Sequence, residues 1–256
     1  MDGGFASLLA IALAGALASP LGGAIAAWTR PTTLLLSVAV GFAAGVLLGT
    51  FAFEMLPSAA ESASVGIAIG GFALVYLLDL YVHGGVAAGE KASQYGGLAR
   101  RRRRRRARGD EVTVLAAGTT AEELIEGVSI GLSVATNPKL GLIVGLAIAI
   151  DNLSEALSIG ELVRAHESRH PARRILLWTS VIGASLLIAA LAGWFLLRGL
   201  DPPVLGFLLG AGAGGMFYLT IVDLIPEAES HHLGQSAAIA TGAGFLLIFG
   251  LSNAGA

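Results

Sequence analysis

Two stretches of similar sequence decide the fold of this chain: Glu122–Gly131, which reads EELIEGVSIG, and Asp151–Gly160, which reads DNLSEALSIG. They begin 29 residues apart, and each lies inside an apolar run that is long enough to cross a bilayer. Together they contain five carboxylates. Because an ionised acid at mid-bilayer is costly, these acids must be protonated, face water or hold a cation.

The composition is that of a membrane protein. Of the 256 residues, 55% are hydrophobic and only 13% are charged, whereas about a quarter of a soluble domain is charged. We therefore predict an all-α, polytopic membrane protein that forms a single domain over residues 1–256, with eight transmembrane helices. The predicted spans are 5–28, 34–56, 65–82, 112–136, 140–163, 175–197, 204–225 and 234–251. The chain has no cysteine, which excludes disulfides and thiolate metal sites.

The basic residues predict the orientation. With the N-terminus outside, 14 of the 16 lysines and arginines fall in inner loops, and only Lys139 and Arg198 fall outside. We therefore expect a multi-pass protein of the cell membrane with both termini outside the cytoplasm. The long loop 84–110 contains eight arginines within nine residues. We expect it to be cytoplasmic and to contact anionic lipid, and not nucleic acid, because it lacks interleaved aromatic residues.

A second internal repeat lies at the ends of the second and seventh spans. Each has an acid three residues before a proline, Glu54 before Pro57 and Asp223 before Pro226, and each follows a glycine-rich segment. The prolines are helix-stop signals, so we expect the spans to end near residues 56 and 225. Because the two segments have opposite predicted orientations, they indicate an inverted repeat, as in many transporters. A chance similarity of two glycine-rich helices is the alternative.

The acids of the two opening stretches are spaced to share helix faces. Glu122 and Glu126 are four residues apart, as are Asp151 and Glu155. If the two helices are antiparallel neighbours, two oxygen-rich stripes face each other; they consist of Glu122, Glu123, Glu126, Asp151, Asn152 and Glu155. Such an all-oxygen set favours Mn, Fe(II), Mg or Ca, whereas zinc usually has His or Cys ligands. A network of protonated acids that only packs the helices is the structural alternative.

At these residues the chain resembles the bacterial branch of the Zrt-/Irt-like (ZIP) family of divalent metal transporters. The family has twin His-Asn-x-Pro-Glu-Gly-like motifs on helices four and five. These align with the stretches that begin at Glu122 and Asp151, where the motif histidines are replaced by acids. The motif prolines are replaced by Ile125 and Ser154, and the second glycine by Ala156. The resemblance implies eight helices, outer termini and metal influx by movement of one helix bundle against another.

We therefore predict a transporter that moves divalent metal ions into the cytoplasm. The metal-binding residues are expected to be the six of the two stripes, together with Glu54 and Asp223 on the outer and inner parts of the route. Zinc, Mn or Fe(II) is expected as substrate, with no cofactor, and membrane lipid and a homodimer are the other expected partners. The alternatives are a proton- or monovalent-cation-coupled transporter or channel, and a non-transporting metal sensor. An enzyme is not expected, because no His-Glu-x-x-His motif is present.

Overall fold

The computed structural model describes residues 3–82, 111–166, 170–229 and 233–254, and the Arg-rich loop 84–110 lies outside these ranges. Throughout the described part of the chain the regular structure is helical, which confirms the all-α prediction. The helices are α1 (Gly3–Trp28), α2 (Thr33–Thr50), π1 (Phe51–Met55), α3 (Leu56–Ser62), α4 (Val65–Val82), α5 (Glu111–Thr136), α6 (Pro138–His166), α7 (Pro171–Leu197), α8 (Pro202–Leu219), π2 (Thr220–Leu224), α9 (Ile225–Glu229) and α10 (Gly234–Asn253).

Six helical stretches of the described chain are long and apolar enough to cross a membrane: Gly3–Trp28, Thr33–Ser62, Pro138–Ala165, Pro171–Leu197, Pro202–Glu229 and Gly234–Asn253. The chain is therefore a multi-pass membrane protein. Helices α4 and α5 are the other two predicted spans. Val65–Leu74 of α4 is a shorter apolar helix, and α5 contains three closely spaced acids. The total of eight spans stays a prediction.

The described helices pack as two groups. Each group has four continuous helical segments, where helices that follow one another through a π turn count as one segment. The first group, which we call the motif bundle, contains α1, α5, α6 and α7. The second group, the companion bundle, contains α2 with π1 and α3, then α4, α8 with π2 and α9, and α10. The two bundles meet where α2 packs against α6 and where α5 packs against α8. The helices that carry the two acidic stretches therefore lie in one bundle and border the other.

The expectation that helices end at Pro57 and Pro226 is wrong. The chain passes through a π-helical turn before each proline and continues as helix to Ser62 and Glu229. In each π turn a backbone N–H bonds the carbonyl five residues back, from Leu56 to Phe51 and from Ile225 to Thr220. Proline cannot donate to the carbonyl four residues before it. For Pro57 that carbonyl belongs to Phe53, and the Ser252 hydroxyl donates to it at 3.4 Å.

Glycines allow the helices of the motif bundle to approach closely. A Cβ added at Gly131 of α5 would lie 2.6 Å from the Trp194 backbone nitrogen of α7. A Cβ at Gly22 of α1 would lie 2.7 Å from the Leu153 carbonyl oxygen and 2.8 Å from the Ala156 Cβ, both on α6. Small residues at such contacts are typical of helices that pack in lipid, where close van der Waals contact drives association. The first contact joins α5 to α7, and the second joins α1 to α6.

Candidate metal centre

Helices α5 and α6 bring the two acidic stretches together. Only Asn137 separates the two helices in the chain, so they run antiparallel and pack on each other. The Asn152 Nδ2 of α6 donates a hydrogen bond to the Glu123 Oε2 of α5 at 3.2 Å. Glu122 of α5 and Glu155 of α6 line one cavity. The two stripes therefore lie on facing sides of the two helices, and one direct hydrogen bond joins them.

The Asn152 side chain is held by two acceptors. Besides Glu123, its Nδ2 donates to the backbone carbonyl oxygen of Gly15 in α1 at 3.3 Å. Both N–H groups of the amide are thus used, and its Oδ1 is buried without a hydrogen-bond partner. Helix α1 therefore orients an oxygen of the site. The sequence does not indicate this role of Gly15, because a backbone carbonyl has no sequence signature.

Four polar side chains form a deep set between the helices: Glu123, Glu126, Asp151 and Asn152. Each is at most 5% exposed, and each has one buried oxygen with no hydrogen-bond partner, namely Glu123 Oε1, Glu126 Oε2, Asp151 Oδ1 and Asn152 Oδ1. Asp151 lies within electrostatic range of both glutamates. Since buried oxygens are almost always hydrogen-bonded, these four unpaired oxygens on adjoining helices are candidate donors for a hard cation.

The other two acids of the stripes line a cavity. Glu122 and Glu155 are partly exposed and border a cavity of about 530 Å³ between the motif bundle and π2 of the companion bundle. Asp223 and Glu227 line the same cavity, so four carboxylates surround it. The cavity lies toward the ends of α5 and α6 that adjoin residues 84–110 and 167–169 in the chain. This side of the site is therefore strongly acidic.

Glu54 lies apart from this cavity. It sits in π1 and is 9% exposed, and it is not among the residues that line the cavity. The π1 turn packs against α6. Glu54 and Asp223 occupy the fourth position of their π turns, so the sequence repeat has a matching local structure, while the inverted repeat as a whole stays a prediction.

The acids do not already converge on one point. Within the described ranges, no group of three or more His, Asp or Glu side chains is arranged to hold a metal ion. Carboxylates in a poorly solvated space repel one another, which accounts for their separation. Of the five histidines, His83, His231 and His232 lie outside the described residues, and so does the side chain of His166.

Helix α7 adds no acid to the centre. Its candidate oxygen donors are Thr179, Ser180 and Ser185. The Thr179 hydroxyl donates to the Ile175 carbonyl at 2.9 Å and the Ser185 hydroxyl to the Ile182 carbonyl at 2.7 Å, while Ser180 is exposed. The Ser185 hydroxyl also lies 3.5 Å from the Thr120 carbonyl oxygen of α5. The acids of the two stripes therefore come from α5 and α6 alone.

The fold and this centre define a multi-pass membrane protein with an acidic site between two of its helices. The chain belongs to the ZIP zinc transporter family: the family model described as "ZIP Zinc transporter" matches residues 101–250, more than half of the chain. It is accordingly a transporter and not an enzyme, as the sequence predicts.

Curated relatives extend the similarity over nearly the whole chain. A zinc transporter ZupT of Chlorobium phaeovibrioides is 28% identical, with 92% of this chain and 94% of the relative covered. A zinc transporter ZupT of Nitratidesulfovibrio vulgaris is 29% identical, with 91% and 92% covered. A zinc transporter ZupT of Escherichia coli is 27% identical, with 78% and 77% covered.

Proposed function

We propose that this protein carries divalent metal ions across the membrane into the cytoplasm through a site on α5 and α6. The four unpaired, buried oxygens of the deep set carry this proposal. An oxygen that has lost its water and gained no hydrogen bond costs free energy, and a metal ion restores that interaction. Glu123, Glu126, Asp151 and Asn152 bind the ion first in this account, and Glu122 and Glu155 receive it.

The route follows the acids. Glu54 lies on the outer part of the route, and Asp223 lies on the inner part with Glu227. Carboxylate oxygens replace the water shell of the ion in the deep set. The ion then passes to Glu122 and Glu155 and leaves through the acidic cavity, where water rehydrates it. No covalent step is needed.

The two-bundle architecture supplies a mechanism for alternating access. The acids of both stripes belong to the motif bundle, whereas Glu54 and Asp223 belong to the companion bundle. Sliding or rocking of one bundle against the other changes which end of the site is open. The present arrangement has its cavity on the side of the Arg-rich loop. With both termini outside the cytoplasm, as the positive-inside rule predicts, that side is the cytoplasm.

The second part of the proposal concerns which metal ion is transported. The named relatives are zinc transporters, and zinc is therefore a candidate substrate. The centre, however, consists only of oxygen donors, which suit Mn and Fe(II) at least as well. We propose that the protein transports zinc together with Mn and Fe(II), and that its discrimination among them is weaker than that of a site with histidine ligands.

Uptake by purified protein in liposomes tests the function. Vesicles that contain a metal-sensitive dye receive Zn²⁺, Mn²⁺ or Fe²⁺ outside, and Na⁺ uptake is measured in parallel. Replacement of Glu126 or Glu155 by Gln is expected to lower metal uptake at least about tenfold. Glu61→Gln is the matched control, because Glu61 is exposed on α3. Uptake of Na⁺ but not of the divalent ions contradicts the proposal, as does unchanged metal uptake by both variants.

The exposed apolar side chains indicate what surrounds the protein. Large apolar side chains such as Leu21, Ile188, Leu196, Ile239 and Leu246 are at least 60% exposed, which supports contact with membrane lipid. A homodimer and a lipid-binding role of the loop 84–110 stay predictions. Cysteines introduced at positions 3 and 254 and labelled in intact cells test the proposed outer location of both termini.

A further inference from the structure

Besides Ser133, Ser154 is the serine on the described site helices whose buried hydroxyl has no hydrogen-bond partner. Ser154 lies on α6, directly before Glu155, at the position where the family motif has proline. Its side chain is 3% exposed. Unlike Ser133, it lines the cavity that Glu122 and Glu155 border. A residue with a buried, unpaired hydroxyl thus lies at the wall of the space through which the ion is proposed to leave.

Three serine and threonine hydroxyls of α5 bond to their own backbone. Ser129 donates to the Ile125 carbonyl at 2.9 Å, Thr136 to Leu132 at 2.9 Å and Thr120 to Ala116 at 2.6 Å. This bond to the carbonyl four residues back is the usual way for a helical hydroxyl to be satisfied in an apolar setting. Ser154 has the same opportunity at Ile150 and does not use it. Its hydroxyl is instead available to a ligand.

We propose that the Ser154 hydroxyl is a further ligand of the transported ion and biases the site toward Mn²⁺ over Zn²⁺. This inference rests on the proposed function. The hydroxyl contributes a neutral oxygen beside Glu122 and Glu155 and adds no charge to a site that already has several carboxylates. Zn²⁺ usually has a coordination number of four, whereas Mn²⁺ prefers six oxygen ligands. Loss of one neutral oxygen therefore weakens Mn²⁺ binding more than Zn²⁺ binding.

The chain offers a matched control in Ser133. This residue lies on α5 and is fully buried, and its Oγ also has no hydrogen-bond partner. It does not line the cavity. Ser133→Ala therefore removes a buried, unpaired hydroxyl without changing the proposed ligand set. Ser154→Thr is a second control, because it retains the hydroxyl at position 154.

The test measures equilibrium binding of Mn²⁺ and Zn²⁺ to the purified full chain in detergent, and uptake of both ions into liposomes. Ser154→Ala is expected to weaken Mn²⁺ binding roughly tenfold and Zn²⁺ binding by a clearly smaller factor. Ser133→Ala and Ser154→Thr are expected to match the unmodified chain. Equal effects of Ser154→Ala and Ser133→Ala, or equal losses for both metals, overturn the assignment.

The outcomes separate this proposal from the proposed function. If the unmodified chain transports metal and Ser154→Ala does not change its selectivity, the role of Ser154 is wrong and the transport function stands. If the chain binds metal with the predicted dependence on Ser154 but does not transport it, the binding site stands and the transport function is wrong. If the chain neither binds nor transports metal, both proposals fail. If Ser154→Ala does not fold, Ser154→Cys provides the readout, since a soft thiol must then shift preference toward Zn²⁺.

Discussion

The side chain of Asn152 has two separable roles, and two substitutions distinguish them. Its Nδ2 donates to Gly15 at 3.3 Å and to Glu123 at 3.2 Å, and its Oδ1 is left to bind the ion. Asn152→Ala removes both hydrogen bonds and leaves the buried Glu123 Oε2 without this donor. With about 1 kcal/mol for the neutral bond and 1.5–3 kcal/mol for the bond to the carboxyl, the metal-free protein loses roughly 2–4 kcal/mol. The thermal midpoint in detergent is expected to fall by about 5–15 °C.

Asn152→Asp retains an oxygen donor but loses both N–H groups and places a carboxylate beside Glu123. The metal-free variant is expected to be at least as unstable as Asn152→Ala, because like charges in a poorly solvated site repel. Saturating Zn²⁺ or Mn²⁺ is expected to recover more of the midpoint for Asn152→Asp than for Asn152→Ala, since only the former keeps a ligand. Asn253→Asp is the control, because the Asn253 amide is exposed and bonds only within its own helix. The reasoning is refuted if metal stabilises the two Asn152 variants equally.

Three further predictions concern packing, capping and the exit. Gly22→Ala is expected to destabilise the protein by about 1–3 kcal/mol through overpacking. Ala156→Gly in the same chain is expected to restore part of the loss by removing one of the two clashes. Thermal unfolding of the single and double variants measures this, and the prediction is wrong if the effects of the two substitutions on stability simply add. Arg164 donates from Nε to the Ala26 carbonyl at 2.8 Å at the end of α1. Arg164→Met is therefore expected to lower the free energy of unfolding by about 1.5–3 kcal/mol. An unchanged thermal midpoint refutes this capping role. Asp223→Asn is expected to lower the uptake rate roughly threefold to tenfold, because it weakens the negative potential of the cavity, while the equilibrium affinity for the metal stays constant. A loss of affinity instead places Asp223 among the primary ligands.

The apolar runs of the sequence predict the helices well, because a helix that faces lipid must be apolar over its whole length. Predicted and observed bounds of most helices agree within a few residues; the sixth, predicted over 175–197, begins at Pro171. The exceptions near Pro57 and Pro226 have a specific cause. A local sequence rule treats proline as a stop, whereas the helix continues through a π turn before each proline. At Pro57 a donor from another helix, Ser252, also pairs the carbonyl that proline leaves unpaired. Such a donor depends on tertiary packing and has no local signal.

In the candidate site, too, the features that depend on local sequence are predicted and those that depend on tertiary packing are not. The spacing of Glu122 with Glu126, and of Asp151 with Glu155, predicts two stripes because helical periodicity is local. The structure divides these acids into a deep set and a cavity-lining set, which spacing alone cannot do. Depth depends on how α6 packs between α1 and α5. For the same reason the sequence gives no indication that the Gly15 carbonyl orients Asn152, or that the Ser154 hydroxyl lacks a partner.

The location of the ion tests the central claim most directly. Crystals of the full chain soaked separately in Zn²⁺ and Mn²⁺ give anomalous difference maps at each metal's absorption edge, which identify the ion and its ligands together. The account predicts a peak between α5 and α6, bound by carboxyl oxygens of Glu126 and Asp151 with Asn152 or Glu123. A metal bound only at the histidines near the helix ends, with no peak between α5 and α6, contradicts it.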